Sequence, residues 1–264
     1  MAIIHEREVF VYMEEKIGEI KQIIIITDGK SNIGKSPVDA ALDAYKRGIT
    51  VSAIGIVDND GSGDERDVEE LEGIAKAGGG LCEYTHIQNL GMTMQIMTQK
   101  TAQKTLEQIV SRQLKSIVGT DINEIEPKSR YKIVDFIEKY GDKVNLKCVI
   151  ALDTSGSMKY KLESAKQSLL DLLQSMKCRQ GQSSIAVVTY PGQQNDVTSI
   201  VCKFTDNGDT LESRIRGIKA GGGTPTGPAI ETAVNLILDE TIENEILEKV
   251  EIIKPEEEIK KYYV

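Results

Sequence analysis

Two apolar runs that each stop at an aspartate constrain this chain most. The first is residues 22–27, Gln-Ile-Ile-Ile-Ile-Thr, followed by Asp28 and Gly29. The second is residues 144–152, followed by Asp153. In the first run apolar and polar residues do not alternate, so a strand here must be buried on both faces. Such strands belong to parallel sheets covered by helices. An aspartate at the end of each then marks where the strand opens into a loop.

The segments between the runs fit that scheme. Pro37 opens a helix, expected to bury Val38, Ala41, Leu42 and Tyr45, and Gly48 closes it. Residues 49–57 read as a second strand. Val68, Leu71, Ile74 and Ala75 describe the next helix face, and residues 81–87 a third strand. Strand, helix, strand, helix, strand is the signature of an α/β domain with a parallel sheet. Three strands make an unfinished sheet, so this half needs a complement. A long helix follows over 92–118, with Met94 and Met97 as core filler. Residues 120–128 read as an acidic linker, and Pro127 opens a short helix with Val134 and Ile137 inside. After the Asp153 strand, Leu162, Ala165, Leu169, Leu172, Leu173 and Met176 form one helical stripe. Residues 184–190 and 197–204 read as a hairpin, with Pro191, Gly192, Asn195 and Asp196 supplying the turn. Leu211, Ile215 and Ile218 mark another helix. The run Gly221 to Gly223 leads through Thr224-Pro225-Thr226-Gly227 into a last one, carrying Ile230, Ala233, Val234, Ile237 and Leu238. Residues 241–264 are charge-rich and read equally as a helical extension or an edge strand.

Bulk properties narrow the function classes. The 264 residues suit one large domain or two small ones, and the formal net charge of -9 with no Trp argues against a nucleic-acid backbone as partner. No apolar run approaches bilayer length, and the start lacks the pattern of a signal peptide, so a cytoplasmic protein without membrane contact is expected. Cys82, Cys148, Cys178 and Cys202 lie far apart and read as free thiols, the three in strand-like runs buried. The only histidines, His5 and His86, are isolated, which argues against zinc.

The chemistry concentrates at Asp153-Thr154-Ser155-Gly156-Ser157. A carboxylate and two hydroxyls in a tight turn, directly after a buried strand, make an oxygen-rich nest suited to a hard cation such as Mg2+. Gly156 is expected to let the turn bring Ser155 and Ser157 to one point. The competing reading is a plain helix cap. Thr224 follows a glycine run before another helix, and Asp28 ends another buried strand. In an open parallel sheet these strand ends share one edge, where ligands bind. Two ionised aspartates crowded there repel each other unless a cation intervenes. Asn32 and Thr226 lie beside these residues and could support the set, although Thr226 serves equally as a cap. Asp58, Asp60, Ser62, Asp64 and Glu69 loosely follow calcium-loop spacing. Arg66 and the lack of a preceding helix make an acidic surface loop the better reading.

Asp153-x-Ser155-x-Ser157 with Thr224 and Asp28 resembles the metal-ion-dependent adhesion site of the von Willebrand factor A family. DTSGS matches the family's first loop, GGGTPTG carries the threonine of the second, and ITDG carries the aspartate of the third. The resemblance implies a doubly wound α/β fold: a mostly parallel six-stranded sheet with one antiparallel edge strand. It departs from the family in order, because Asp28 precedes Asp153. Residues 21–118 resemble the family's C-terminal half and 144–240 its N-terminal half, with 119–143 joining them and 241–264 as an extension. The chain thus resembles a single, circularly permuted domain, similar to a group in endospore-forming Gram-positive bacteria. The resemblance implies a non-enzymatic module. Its Mg2+ (Mn2+ or Ca2+ as alternatives) would be held by Asp153, Ser155, Ser157 and Thr224, with Asp28 acting mostly through water, and would coordinate an Asp or Glu of a partner protein. A regulatory or scaffold subunit of an ATPase or kinase system is the runner-up, and a Mg2+-dependent phosphate-ester hydrolase the third reading. Closure within a monomer is favoured over exchange of halves in a dimer.

Overall fold

The computed structural model describes residues 18–58, 65–118, 126–193 and 196–252. Most of the acidic loop after Asp58, most of the linker near 120, residues 1–17 and residues 253–264 lie outside the described residues; residues 241–252 of the charge-rich extension are helical and continue the helix that starts at Thr226.

Among the described residues six strands form one sheet: β1 (Glu19–Thr27), β2 (Ile49–Ile56), β3 (Gly79–Thr85), β4 (Asn145–Asp153), β5 (Ser183–Tyr190) and β6 (Ser199–Thr205). Their order across the sheet is β3-β2-β1-β4-β5-β6. The pairs are parallel except β5 with β6, the antiparallel edge. The helices are α1 (Pro37–Lys46), α2 (Glu65–Ala77), α3 (Leu90–Val118), α4 (Pro127–Gly141), α5 (Leu162–Met176), α6 (Gly208–Ile215) and α7 (Thr226–Ile252). This is a doubly wound three-layer α/β fold. No helix among the described residues is long and apolar enough to cross a membrane.

The apolar run of β1 explains the two faces. Successive side chains point to opposite sides of a strand. Ile24 and Ile26 accordingly pack with Cys148, Ile150 and Leu152 against α3, α4, α5 and α6. Ile23 and Ile25 pack with Val149 and Ala151 against α1, α2 and α7. The centre of the sheet is the β1–β4 pair, in register from Glu19 opposite Asn145 to Ile26 opposite Leu152. Here the strand order reverses: the chain leaves β1 toward β2 and leaves β4 toward β5. The C-terminal ends of such a pair open a crevice, because their following helices diverge to either side.

Two helix faces differ from the sequence expectation. In α1 the buried residues are Pro37, Ala40, Ala41 and Ala44, while Leu42 is exposed. The helix is wedged against α2, α7 and β2, and alanine lets the backbones approach where leucine would hold them apart. In α4 the inward residues are Ile133 and Ile137, and Val134 faces outward. Cys148 and Cys202 are buried and Cys178 is exposed, all as free thiols. Cys82, also free, is only half-buried, against expectation.

Candidate metal centre

The crevice is built from the ends of β1 and β4. Asp153 is the last residue of β4 and is fully buried. One oxygen, Oδ1, accepts the Ser155 backbone N–H at 2.7 Å. The other, Oδ2, accepts the Thr27 hydroxyl at 2.6 Å. Thr27 in turn accepts the Gly29 N–H at 3.1 Å, which fixes the turn carrying Asp28. Burial pushes the Asp153 carboxyl up to about 6; the bonds from Thr27 and Ser155 oppose that shift and the charge of Asp28 adds to it. Beneath it the buried Tyr190 hydroxyl donates to the Ile26 carbonyl at 3.2 Å.

The two serines meet as expected. Ser155 Oγ and Ser157 Oγ are 3.1 Å apart, and Ser157 donates to Asp28 Oδ1 at 2.7 Å. The structure therefore links Asp28, Ser155 and Ser157 side chain to side chain, across 129 positions of sequence between Asp28 and Ser157. Gly156 does not have the role expected of it. It has no left-handed backbone, and a Cβ there would meet nothing within 4 Å. Sharp geometry is needed in the other loop. Gly222 has φ +83, in the left-handed region that glycine favours, and its carbonyl accepts the Gly156 N–H at 3.3 Å. A Cβ on Gly227 would come within 2.0 Å of the Lys35 carbonyl, so glycine there lets α7 begin directly against the loop after Asp28.

Thr224 is held by that same loop. Its N–H donates to Asn32 Oδ1 at 2.8 Å, while the Asn32 N–H donates to its carbonyl at 3.1 Å. The Gly221 N–H donates to the Thr154 carbonyl at 2.7 Å, which ties the Thr224 loop to the DTSGS turn. Asn32 is thus a clamp on Thr224. Thr226 is buried at the start of α7, its N–H on the Thr224 carbonyl at 3.1 Å; its hydroxyl lies beside the buried Tyr190 hydroxyl and bonds to no backbone N–H among the described residues, so it does not act as a cap. Asn32→Ala should lower stability by about 1 kcal/mol through loss of the side-chain bond. It should also blunt any stabilisation by divalent ions. Urea unfolding with and without Mg2+ checks both, and an unchanged ion response would remove Asn32 from the site.

Sequence reasoning missed Thr27, Lys161 and the role of Asp58. Lys161 Nζ lies 2.7 Å from Asp28 Oδ2 and 2.9 Å from Asp58 Oδ1. Asp28 and Asp58 therefore have a built-in counter-ion, so the cation expected between the crowded carboxylates is supplied for Asp28 by the chain itself. A signal was available: Lys161 follows Ser157 closely in the chain, where a short 3-10 helix, Gly156–Tyr160, meets α5.

Two separate stretches match family models described as von Willebrand factor type A domain, residues 2–113 and residues 148–252. "Uncharacterized protein YabS" of Bacillus subtilis (strain 168) is 36% identical over 218 residues, covering 82% of this chain and 88% of that protein. The chain belongs to the von Willebrand factor type A domain family. A crystal structure of an uncharacterized protein from Alicyclobacillus acidocaldarius subsp. acidocaldarius DSM 446 shares 38% identity with this type A domain. It superposes with a TM-score of 0.77, over 85% of this chain and 96% of that one. In this type A domain both matched stretches contribute to the crevice, Asp28 coming from the first and Asp153, Ser155, Ser157 and Thr224 from the second.

Proposed function

We propose that the chain is a metal-dependent protein-binding domain. Asp153, Ser155, Ser157 and Thr224 hold one Mg2+, with Asp28 acting through water, and a partner's Asp or Glu takes the remaining position. The observation that carries this reading is the hydrogen-bonded set of Asp28, Ser155 and Ser157 beside the buried Asp153, at the point where the strand order reverses. The donors fit the ion. They are all oxygen, carboxylate and hydroxyl, as a hard cation requires. No group of three or more His, Cys, Asp or Glu residues suited to a metal occurs among the described residues. Hydroxyls and waters must therefore complete the shell, which suits Mg2+ because it keeps several waters. Among the described residues the buried Asp153 carboxylate has no cationic partner of its own, and a cation there would compensate its desolvation. When bound, the ion would supply a Lewis-acidic position for an incoming carboxylate, and the protein side chains would orient it.

The same reading includes permutation and closure within one chain. Two family matches in reversed order and a central β1–β4 pair support it. Linkers can rejoin old termini because domain ends often lie close together. It also makes the domain non-catalytic. Both serine hydroxyls are engaged with each other or with Asp28, and among the described residues neither bonds to a histidine.

The test combines ion response and capture. Saturating Mg2+ or Mn2+, at about a hundred times its Kd, should raise Tm by roughly 5–10 °C. Asp153→Ala should abolish the rise. Capture of a partner should require the ion and fail in EDTA. Capture that survives both EDTA and Asp153→Ala would move the binding surface elsewhere. Phosphate-ester turnover lost in Asp153→Ala would replace this reading with a hydrolase.

A further inference from the structure

Lys161 is unexplained by a metal site alone. Its ammonium is brought to the crevice from the residue that joins a short 3-10 helix, Gly156–Tyr160, to α5. Its side chain is only 13% exposed, and the Asp28 side chain that it meets is 1% exposed. This is not a loose surface pair, for which little effect would be expected. Asp28 is gripped from both sides: Oδ1 accepts from Ser157 at 2.7 Å and Oδ2 from Lys161 at 2.7 Å. Asp58, 59% exposed, anchors the ammonium from the solvent side at 2.9 Å.

We propose that Lys161 is a positioning residue that holds Asp28 back from direct contact with the bound ion and so keeps one coordination position open for the partner. The inference rests on the metal-binding reading above and concerns what this chain adds to it. A carboxylate with each oxygen already in a charge-assisted or hydroxyl bond has a fixed direction. It also has part of its charge taken up by the ammonium, which makes it a weaker direct donor to a second cation. The ammonium further repels the ion, so affinity is held down. Without Lys161 the Asp28 carboxylate keeps only its Ser157 bond. It is then free to turn and bind the ion directly. The result is a tighter and more closed centre. Ser157 fixes one oxygen in either case, so the decisive contact is the one to Lys161.

The experiment uses the full chain with Mn2+ as probe, read by electron paramagnetic resonance for affinity and by water-proton relaxation for the number of exchangeable waters on the ion. Lys161→Met keeps the side-chain length and removes the charge. It should bind Mn2+ roughly tenfold tighter than the unaltered protein, from the lost charge repulsion and the direct carboxylate, and with one water fewer. Lys161→Arg keeps the cation and should behave as the unaltered protein does. Lys161→Leu likewise lacks a donor toward Asp28; it should change affinity and water count as methionine does and serves if the methionine variant does not fold. Unchanged or weaker Mn2+ binding with an unchanged water count in the neutral variants would overturn the proposal and leave Lys161 as a fold-stabilising ion pair. Absence of Mn2+ binding by every form, the unaltered protein included, would instead overturn the metal-binding reading and this inference with it.

Discussion

Asp153→Asn is expected to make the ion-free protein more stable at pH 7, by about 3 kcal/mol, while abolishing its response to Mg2+. The cause is burial. The Asp153 carboxyl is fully buried and is pushed up to about 6 from an ordinary 3.8. Between those values the folded protein keeps a proton that the unfolded chain has released. Stability therefore falls as pH rises through that window and stays low above it. An amide of the same shape never ionises, so it escapes that cost. It also keeps its partners. Its oxygen accepts the Ser155 N–H, and its NH2 donates to Thr27 Oγ1, whose own proton turns to the Gly29 carbonyl 2.9 Å away. Urea unfolding in EDTA at pH 5 and pH 7 tests the sign. The unaltered protein should be more stable at pH 5 as far as this residue decides, and the asparagine variant should show the smaller difference. An asparagine variant less stable than the unaltered protein at pH 7 would sink the argument. A stability gain on removing a carboxylate is the expected mark of a residue kept for binding rather than folding.

Residues 1–118 alone are expected not to fold. In the full chain β1 lies between β2 and β4, and eight register pairs from Glu19–Asn145 to Ile26–Leu152 close its inner edge. Cutting after α3 opens that edge and strips one side from Ile24 and Ile26, both fully buried among residues of β4, α4 and α5. A three-stranded sheet with an open apolar central edge pairs with other chains instead of folding. The fragment should show no cooperative urea transition, and adding residues 119–264 should restore one. A cooperative transition of the fragment by itself, with the midpoint of the full chain, would mean that the halves are independent domains.

Much of this architecture was legible in the chain. Apolar runs such as residues 23–26 are too continuous for a solvated strand, so burial on two faces followed from the residues alone. The stripe from Leu162 to Met176 has helical period and matches the buried face of α5. Strand-terminal Asp28 and Asp153 identified the crevice because a strand end is a local feature, and the parallel sheet implied by the strand–helix–strand order puts all such ends on one edge.

What the tertiary structure decided depends on contacts between distant segments. Which face of α1 is buried turned on its packing against α2 and α7: Ala40, Ala41 and Ala44 are buried and Val38 packs partly buried beside them, while Leu42 is exposed. The glycine that matters for backbone shape proved to be Gly222 and not Gly156, since strain is a property of the assembled loops. Thr27 reaches Asp153 over 126 positions and Lys161 reaches Asp28 over 133. No period or spacing encodes such pairs. The sequence by itself determined where the carboxylates and hydroxyls would gather, because strand ends and turns follow from short-range chemistry. Only the packed structure decided how their charges are balanced, because a counter-ion is set by distance in space.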